Sequence, residues 1–412
     1  MTATLVHQPR LAPMKPDFRS IGFITNPYPT YARLREQAPV FPLGPQTWLV
    51  TGYADADQVL RDPRMGKDFP AVLVRRYGRD MGSEPAFRVI NAFMLLLNPP
   101  AHTRLRGLVS KAFSVRQAPD LRALAQRNAD ALVDGWIGQG AADLMEAFAY
   151  PLTVRVICSM LDVELRHSLE FHRETQALVK TFELAPLTEP ELAEANAAAL
   201  RFDGLFREIC RQRRLRPGGD LVSLLLRAEE GGDRLSEDEI IANIVMLFMA
   251  GHETTANMIG NALASLFRHP SQLQHLKAEP ALLPKAVEEC LRFDGSVQIA
   301  ARVALATAEL HGVPIAKGDT VYLALGAANR DPAVFDEPDS FRIDRPETTP
   351  KPLSFGGGIH YCLGARLARI ELETALGTLL RRLPGLSIGN LDSLQWKPTF
   401  TVRGLRSLPA NW

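Results

Sequence analysis

The sequence is poor in cysteine, and its cysteines lie far apart. Cys158, Cys210, Cys290 and Cys362 are the only four among 412 residues, and no two of them form a C-x-x-C pair. Structural zinc sites and disulfide-stapled domains need cysteines in close or paired spacing. The pattern therefore disfavours both kinds of protein.

The sequence also lacks an excess of either positive or negative charge. The chain has 47 Lys and Arg residues against 46 Asp and Glu residues, which leaves a formal net charge of +1. A chain so balanced has no electrostatic reason to bind nucleic acid, and we expect no such partner. The chain does have a hydrophobic fraction of 46%, which in 412 residues is enough to bury a bulky cofactor.

No long apolar run occurs near the N-terminus. Residues 1–18 contain three prolines and scattered charge, so they match neither a signal peptide nor a membrane anchor. We predict a flexible N-terminal segment over 1–18, one domain over 19–412 and a cytoplasmic location.

Most of the chain shows the apolar spacing of helices. We predict helices over 121–139, 143–161, 189–214 and 236–268, and fewer strands, over 48–51, 307–313, 320–325 and 398–405. Because the strands lie near both ends of the chain, one sheet is expected to join these ends. The predicted fold class is mainly α with smaller β-sheet regions.

The segment 236–268 is predicted to be a helix through the centre of the protein. Ser236 and Glu239 form a capping box at its start, and residues 240–251 are apolar except for Asn243. The apolar part is too short to span a membrane and runs into His252 and Glu253. At about 1.5 Å per residue, the helix would be roughly 50 Å long.

A single cysteine follows a glycine-rich stretch near the C-terminus, in the sequence from Phe355 to Gly364. The three glycines before His360 would let backbone approach a flat ligand. A helix predicted over 363–380 would point its N-terminus at the sulfur of Cys362, and the helix dipole would favour a thiolate, the form that binds metals. The alternative, a small buried hydrophobic residue, suits the other three cysteines better.

These residues match two motifs of one family. The loop has the pattern F-x-x-G-x-H-x-C-x-G that surrounds the haem-ligating cysteine of cytochromes P450, and residues 250–255 match their oxygen-activation motif A-G-x-[DE]-T. Over about residues 26–408 the chain resembles a bacterial cytochrome P450. The resemblance implies the cytochrome P450 fold, haem b (iron protoporphyrin IX) ligated axially by the thiolate of Cys362, and a monooxygenase.

The resemblance also implies the catalytic pair Glu253 and Thr254, which would deliver protons to dioxygen bound at the haem. Gly251 would leave room for dioxygen between the helix and the haem. A structural alternative is that Thr254 only bonds the Ala250 carbonyl and that Glu253 pairs with a nearby base. An acid in a buried apolar helix is costly unless it is used, which favours the catalytic interpretation.

By resemblance, the cofactor-binding residues are Phe355 in the loop and four partners for the haem propionates, namely His102, Arg106, Arg302 and His360. His102 and Arg106 are four residues apart and share a helix face. The chain departs from the family at Asn98 and Ala101, where acidic residues are usual.

Glu289 and Arg292 match the family's E-x-x-R motif, with Arg345 as the third member of the set. The implied role is structural, since a buried cluster of arginine and carboxylate would hold the cysteine loop in place.

The chain has no flavin or dinucleotide fingerprint and no iron–sulfur cysteine set. Electrons are therefore expected from a ferredoxin and an NAD(P)H-dependent ferredoxin reductase. We expect the ferredoxin to dock on basic residues near the cysteine side, namely Arg104, Lys111, Arg366 and Arg369.

The predicted substrate pocket is mostly apolar and is lined by residues 89–97, 246–250, 297–301 and 400–402. A hydrophobic small molecule of fatty acyl, terpenoid or polyketide type follows. Two alternatives stay open: a peroxide-driven haem peroxygenase, and a non-catalytic haem-binding sensor or carrier. Neither needs an acid and alcohol pair, so Glu253 and Thr254 count against both.

Overall fold

The computed structural model of the chain describes residues 16–114, 118–164, 168–230 and 232–412. Residues 1–15, most of the segment predicted to be flexible, lie outside these ranges. The helices are α1 Ile21–Thr25, α2 Tyr28–Gln37, α3 Tyr53–Arg61, α4 Phe69–Tyr77, α5 Pro85–Asn91, α6 Ala101–Ser114, α7 Ala118–Trp136, α8 Tyr150–Leu161, α9 Ser168–Val179, α10 Glu189–Leu215, α11 Leu221–Arg227, α12 Glu237–Arg268, α13 Pro270–Ala278, α14 Leu283–Phe293, α15 Leu325–Ala328 and α16 Ala365–Arg382. None of these helices is long and apolar enough to cross a membrane.

The strands are short and form a minor part of the fold. They are β1 Val40–Gly44, β2 Thr47–Val50, β3 Met65–Gly66, β4 Ala141–Asp143, β5 Glu229–Glu230, β6 Asp233–Arg234, β7 Ile299–Ala304, β8 Ala308–Leu310, β9 Val313–Ile315, β10 Thr320–Ala324, β11 Ser387–Ile388 and β12 Pro409–Asn411. The largest sheet has the order β1-β2-β10-β7-β3. β2 and β10 pair in parallel, and the other neighbours in this sheet are antiparallel.

The predicted joining of the two chain ends is confirmed by this sheet. Thr47 to Val50 in β2 pair with Thr320 to Leu323 in β10, and the Trp48 indole N–H donates to the Asp319 carboxylate over 2.8 Å. The two ends therefore form one domain.

The helix α12 runs through the core as predicted. The side chain of Ser236 accepts from the Glu239 N–H, and the Glu239 carboxylate accepts from the Ser236 N–H, so the predicted capping box is present. Apart from its ends and the stretch around residues 250–254, nearly every residue of α12 is buried. A helix surrounded by protein explains why its apolar residues extend around its whole circumference.

Three secondary-structure predictions are wrong in detail. Residues 398–405 form no regular strand, only isolated bridges from Val402 to Val297 and from Leu405 to Trp396. The predicted strand 307–313 is instead the hairpin β8–β9, with His311 and Gly312 at positive φ in its turn. The helix predicted over 143–161 starts later than predicted, because residues Ala141–Asp143 form β4 and pair with β12 near the C-terminus. A π-helical turn, Met145–Ala149, follows β4, and α8 begins after it. These outcomes depend on distant pairing partners that local patterns do not contain.

Candidate active site

A cavity of about 420 Å³ lies between α12 and the cysteine loop. Cys362, Phe355 and His360 of the loop line it, and so do Gly251 and Thr254 of α12. The structure thus brings the two motifs, more than 100 residues apart in sequence, to the same space.

The cysteine loop is closed by a backbone hydrogen bond, in which the Cys362 N–H donates to the Phe355 carbonyl over 3.0 Å. Gly356 and Gly358 have φ values of +68° and +63°, a conformation that favours glycine. Gly356 lines the cavity, as predicted for a close approach to a ligand. At Gly358, however, a Cβ would lie 2.2 Å from the Leu60 carbonyl oxygen, so this glycine is required by the backbone of α3.

The thiol of Cys362 lies two residues before Gly364, the N-cap of α16. Burial raises the pKa of this thiol, while a hydrogen bond from the Gly364 N–H and the charges of Arg106 and Arg369 lower it. The helix terminus acts in the predicted direction but does not overcome burial by itself. A cation at the sulfur would supply the remaining stabilisation of the thiolate.

Five basic side chains surround one part of the cavity, and of the described residues no carboxylate forms an ion pair with any of them. They include the four predicted residues and one that sequence reasoning missed, and all five line the cavity: Lys67, His102, Arg106, Arg302 and His360. The rings of His102 and His360 lie 4.3 Å apart, and all four of their ring nitrogens are buried without a hydrogen-bond partner in the described part of the chain.

The electrostatics of this basic cluster are unfavourable in the protein alone. Burial, followed by the charges of Lys67 and Arg302, lowers the pKa of His360 to about 2. Burial also lowers the pKa of Arg302 to about 10, and it lowers the pKa of Lys67 well below its usual value. Buried cations and unpartnered ring nitrogens are costly unless a ligand pairs with them. The cluster is therefore suited to an anionic ligand.

The backbone of Lys67 is held by Asn98, one of the two positions at which the sequence departs from the pattern of the family it resembles. The Asn98 side chain accepts from the Lys67 N–H over 2.8 Å and donates to the Lys67 carbonyl over 2.6 Å. The Lys67 ammonium donates to the Ala301 carbonyl over 2.8 Å, next to Arg302. Since an ionised carboxylate could not donate to the Lys67 carbonyl, the amide of Asn98 is needed for its contact with the Lys67 backbone. No local pattern around Lys67 could have revealed it.

On α12, Thr254 Oγ1 donates to the Ala250 carbonyl over 2.6 Å, as the structural alternative expected. Glu253 is 4% exposed and forms an ion pair with Lys397, which is the nearby base of that alternative. Burial raises the pKa of Glu253. Lys397 and His252 together lower this pKa by more than burial raises it, so the net shift is downward. Its Oε2 has no hydrogen-bond partner among the described residues. The structural contacts are present, and they leave one carboxylate oxygen available.

A second cluster supports the cysteine loop from behind. Arg292 contacts both oxygens of Glu289 at 2.8 Å, and Arg345 contacts one of them at 2.9 Å. Arg292 also donates to the carbonyl of Asn329, whose side chain bonds Ser354 and the Leu353 N–H. The predicted set is thus linked through Asn329 to the residues that precede the loop.

The apolar lining of the cavity agrees with the prediction in part. The following predicted residues line it: Met94, Leu95, Leu96, Met246, Leu247, Met249, Ala250, Val297, Ile299, Ala300, Ala301, Thr401 and Val402. Phe248 and Phe400 turn away, Phe248 packing on Phe171 at 4.9 Å and Phe400 on Phe18 at 4.5 Å. The prediction missed Phe69, Val72 and Arg76 of α4 and Phe182 after α9.

The basic residues predicted to dock a ferredoxin are in part paired within the chain. Arg104 forms ion pairs with Asp233 and Glu239, and Arg369 forms one with Glu288. Arg366 is exposed. The positive potential of this surface is therefore weaker than the sequence alone indicates.

Comparisons with known proteins define the class. The family model for Cytochrome P450 matches residues 67–384. A putative cytochrome P450 133B2 of Xylella fastidiosa is 44% identical over 96% of this chain and 98% of its own length. The 6-deoxyerythronolide B hydroxylase of Saccharopolyspora erythraea is 38% identical over 96% of this chain and 98% of its own. The crystal structure of P450BioI, in complex with an acyl carrier protein ligated to hexadec-9Z-enoic acid, has a TM-score of 0.87 and 34% identity and covers 95% of this chain and 100% of the other.

The chain belongs to the cytochrome P450 family and has its fold. It is an enzyme, a monooxygenase whose family carries a haem with thiolate-ligated iron. The residues present fit this group in two ways: the unpartnered nitrogens and cations of the basic cluster suit anionic propionates, and the thiol of Cys362 is exposed to the cavity.

Proposed function

We propose that this monooxygenase uses dioxygen to oxidise an apolar small molecule, with haem b held between Cys362 and the α12 residues Gly251 and Thr254. The observation that supports it best is that these residues line one cavity, whose surface is largely apolar. Cys362 would ligate the iron, and Phe355, whose carbonyl accepts from the Cys362 N–H, would pack beside it.

The basic cluster would bind the two propionates. His102 and His360 have ring nitrogens ready to donate, and Arg106 and Arg302 carry the charge. We add Lys67 to this set, because its ammonium lies in the same electrostatic environment as Arg302 and its backbone is fixed by Asn98. Pairing with propionates would reverse the unfavourable pKa shifts of these groups.

When bound, the haem would activate dioxygen. Residues of α12 would bind the oxygen by hydrogen bonds and transfer protons to it. Thr254 Oγ1 already donates to the Ala250 carbonyl, so its lone pairs can accept a hydrogen bond inside the cavity. Glu253 would relay protons from solvent through its unpartnered Oε2, while Lys397 holds Oε1. Gly251 leaves open space on this face, since an added Cβ would meet only Ile157, at 3.9 Å.

The substrate class that the lining supports is a long apolar molecule with a polar group at one end. Of the cationic residues lining the cavity, Lys67, Arg106 and Arg302 belong to the basic cluster, which leaves Arg76. Arg76 donates to the Thr181 carbonyl and lies beside Tyr322. Burial raises the pKa of Tyr322, and the positive charge of Arg76 opposes this shift in part. A fatty acyl or polyketide substrate has the carbonyl or carboxylate that this end of the cavity can bind, and a terpenoid need not.

Electrons would come from a ferredoxin and an NAD(P)H-dependent reductase, and a cytoplasmic location stays a prediction. Docking would use the exposed Arg366 more than Arg104 and Arg369, because the latter two form ion pairs within the chain. Charge reversal at Arg366 should slow reduction and weaken its salt dependence, whereas reversal at an exposed arginine of another helix, Arg211 of α10, should not.

The first experiment is the absorption spectrum of the reduced, carbon-monoxide-bound enzyme, followed by titration with fatty acids and macrolides for a spin-state shift. A thiolate-type spectrum that is lost in Cys362→Ala and kept in Cys290→Ala supports the assigned ligand. A spectrum unchanged in Cys362→Ala would contradict it.

The second experiment separates dioxygen activation from the peroxide-driven and non-catalytic alternatives. Thr254→Ala should lose product while NAD(P)H consumption continues, and Thr254→Ser, which keeps the hydroxyl, should restore coupling. Equal product yield in wild type and Thr254→Ala would refute the role of Thr254.

A further inference from the structure

A cluster of metal-binding groups joins Glu253 of α12 to two histidines that the proposed reaction does not use. One nitrogen each of His172 and His252 and one carboxylate oxygen of Glu253 lie within 4.8 Å of one another. His252 and Glu253 are buried and His172 is half-buried. Two imidazoles and a carboxylate are a ligand set that zinc binds in proteins.

The hydrogen bonds around the two histidines orient their rings towards each other. His172 Nδ1 lies 2.8 Å from His252 Nε2. The other nitrogen of His252 lies 2.8 Å from Thr153 Oγ1, and the other nitrogen of His172 lies 3.0 Å from the Gln176 side-chain nitrogen. The two inner nitrogens, 2.8 Å apart, share one proton, which a metal ion would replace. His172 must then carry its proton on the outer nitrogen and donate it, so the Gln176 amide must turn its oxygen towards that nitrogen, as the outer acceptors of metal-bound histidines do.

Burial keeps both rings neutral, as metal ligation requires. It lowers the pKa of His252 to about 3 and also lowers the pKa of His172, although Glu253 opposes both shifts. A metal ion would have few protons to displace from the rings. The third ligand is available too, since Glu253 Oε2 has no hydrogen-bond partner among the residues that the structure describes.

We propose that His172, His252 and Glu253 bind one divalent transition-metal ion, with Zn²⁺ as the reference ion. The imidazole nitrogens disfavour Mg²⁺ and Ca²⁺, which prefer oxygen ligands. Ligands about 2.0–2.1 Å from a tetrahedral zinc lie roughly 3.3 Å apart, so the two nitrogens must separate slightly and the carboxylate must move in. Metal binding itself does not rest on the proposed function. Its consequence does, because the ion would occupy the carboxylate assigned to proton delivery and inhibit turnover.

Lys397 competes with the metal ion for the Glu253 carboxylate. Its ammonium pairs with Glu253 Oε1 and also contacts Asn257 Oδ1 at 3.1 Å, and it lies 4.9 Å from the centre of the Tyr150 ring. When a dication binds Glu253, the ammonium can keep Asn257 and Tyr150 as partners. Removing this positive charge should therefore strengthen zinc binding, although it weakens the apo protein.

The test is equilibrium dialysis of the haem-loaded enzyme against micromolar Zn²⁺, with bound zinc counted by mass spectrometry. We expect one zinc ion per chain in wild type and in His275→Gln, about tenfold weaker binding in His172→Gln, and tighter binding in Lys397→Gln. His275→Gln is the matched control, because His275 faces Glu279 at 3.5 Å on the surface without a second histidine. Equal zinc binding by wild type and His172→Gln, or none by wild type, would overturn the proposal.

Zinc K-edge absorption, which haem iron does not disturb, should show two imidazole nitrogens and an oxygen ligand in wild type. If zinc binds with this signature but does not inhibit turnover, the site stands and the role of Glu253 in proton delivery falls. If turnover is inhibited equally in wild type and His172→Gln, the inhibition arises elsewhere and the site is refuted as its cause.

Discussion

Neutralising Glu289 should destabilise the enzyme far more than neutralising its neighbour Glu288, although the two are adjacent in α14. The Glu289 side chain is 3% exposed and accepts hydrogen bonds from Arg292, Arg345 and the Arg342 N–H. The Glu288 side chain is 37% exposed and pairs only with Arg369 among the described residues. Glu289→Gln keeps the size of the side chain, but it turns one acceptor oxygen into a donor facing a guanidinium.

The magnitude follows from burial. Breaking a buried ion pair by removing one partner costs about 3–5 kcal/mol, because the remaining charge is buried without compensation. Arg292, 2% exposed, is such a charge. Neutralising a partly exposed pair costs about 0–1 kcal/mol. Since whole domains are stable by about 5–15 kcal/mol, Glu289→Gln should remove a large share of the total, and Glu288→Gln should not.

The assay is urea unfolding of the haem-loaded enzyme, followed both by far-ultraviolet circular dichroism and by the carbon-monoxide spectrum. Glu289→Gln should lower both midpoints, and the thiolate-type spectrum should be lost at a lower urea concentration than helicity, because Asn329 links the cluster to the loop. Equal midpoints for Glu288→Gln and Glu289→Gln would refute the reasoning.

Three further outcomes follow from single contacts. Gly251→Ala should raise the free energy of unfolding of the haem-free protein by about 0.5–1 kcal/mol, because alanine loses less conformational entropy than glycine in a helix and an added Cβ has space here. The same substitution should lower oxygenase activity, because the methyl group fills part of the cavity. Arg76→Leu should weaken the binding of a fatty acid, measured by spin-state titration, more than that of its methyl ester, and equal losses would contradict an anchoring role. Burial raises the pKa of Glu371 well above its usual value, so this residue stays protonated when folded and ionises when unfolded. Wild type should therefore lose stability as the pH rises above the usual carboxyl range, whereas thermal unfolding of Glu371→Gln should show a weaker dependence.

Sequence reasoning succeeded where chemistry and local pattern coincide. The capping box of Ser236 and Glu239, the positions of Cys362 and Thr254 and the contacts of Glu289 all follow from short motifs whose spacing has a physical reason. In each case the interacting groups lie within one helix or one loop, or their motif is specific enough to identify a partner.

It failed where a contact depends on a distant element with no motif. Lys67 and Lys397 lie next to predicted site residues, but nothing around them in sequence distinguishes them from surface lysines. β7 was not predicted as a strand, because its pairing with β10 is what makes residues 299–304 extended. Gly358 was assigned to a ligand, although the space beside it belongs to Leu60, some 300 residues earlier.

The parallel pairing of β2 with β10 has a consequence for biosynthesis. Trp48 and its partner Asp319 are separated by 271 residues, which a ribosome adds in roughly 15–50 s at about 5–20 residues per second. During that time the β1–β2 hairpin is translated but one edge has no partner, a situation that favours aggregation. Pro42 in β1 cannot donate a hydrogen bond to another strand, so it protects the outer edge of the nascent hairpin. The edge of β2 that later pairs with β10 has no such protection until β10 is translated. A chaperone would be needed at this edge of β2.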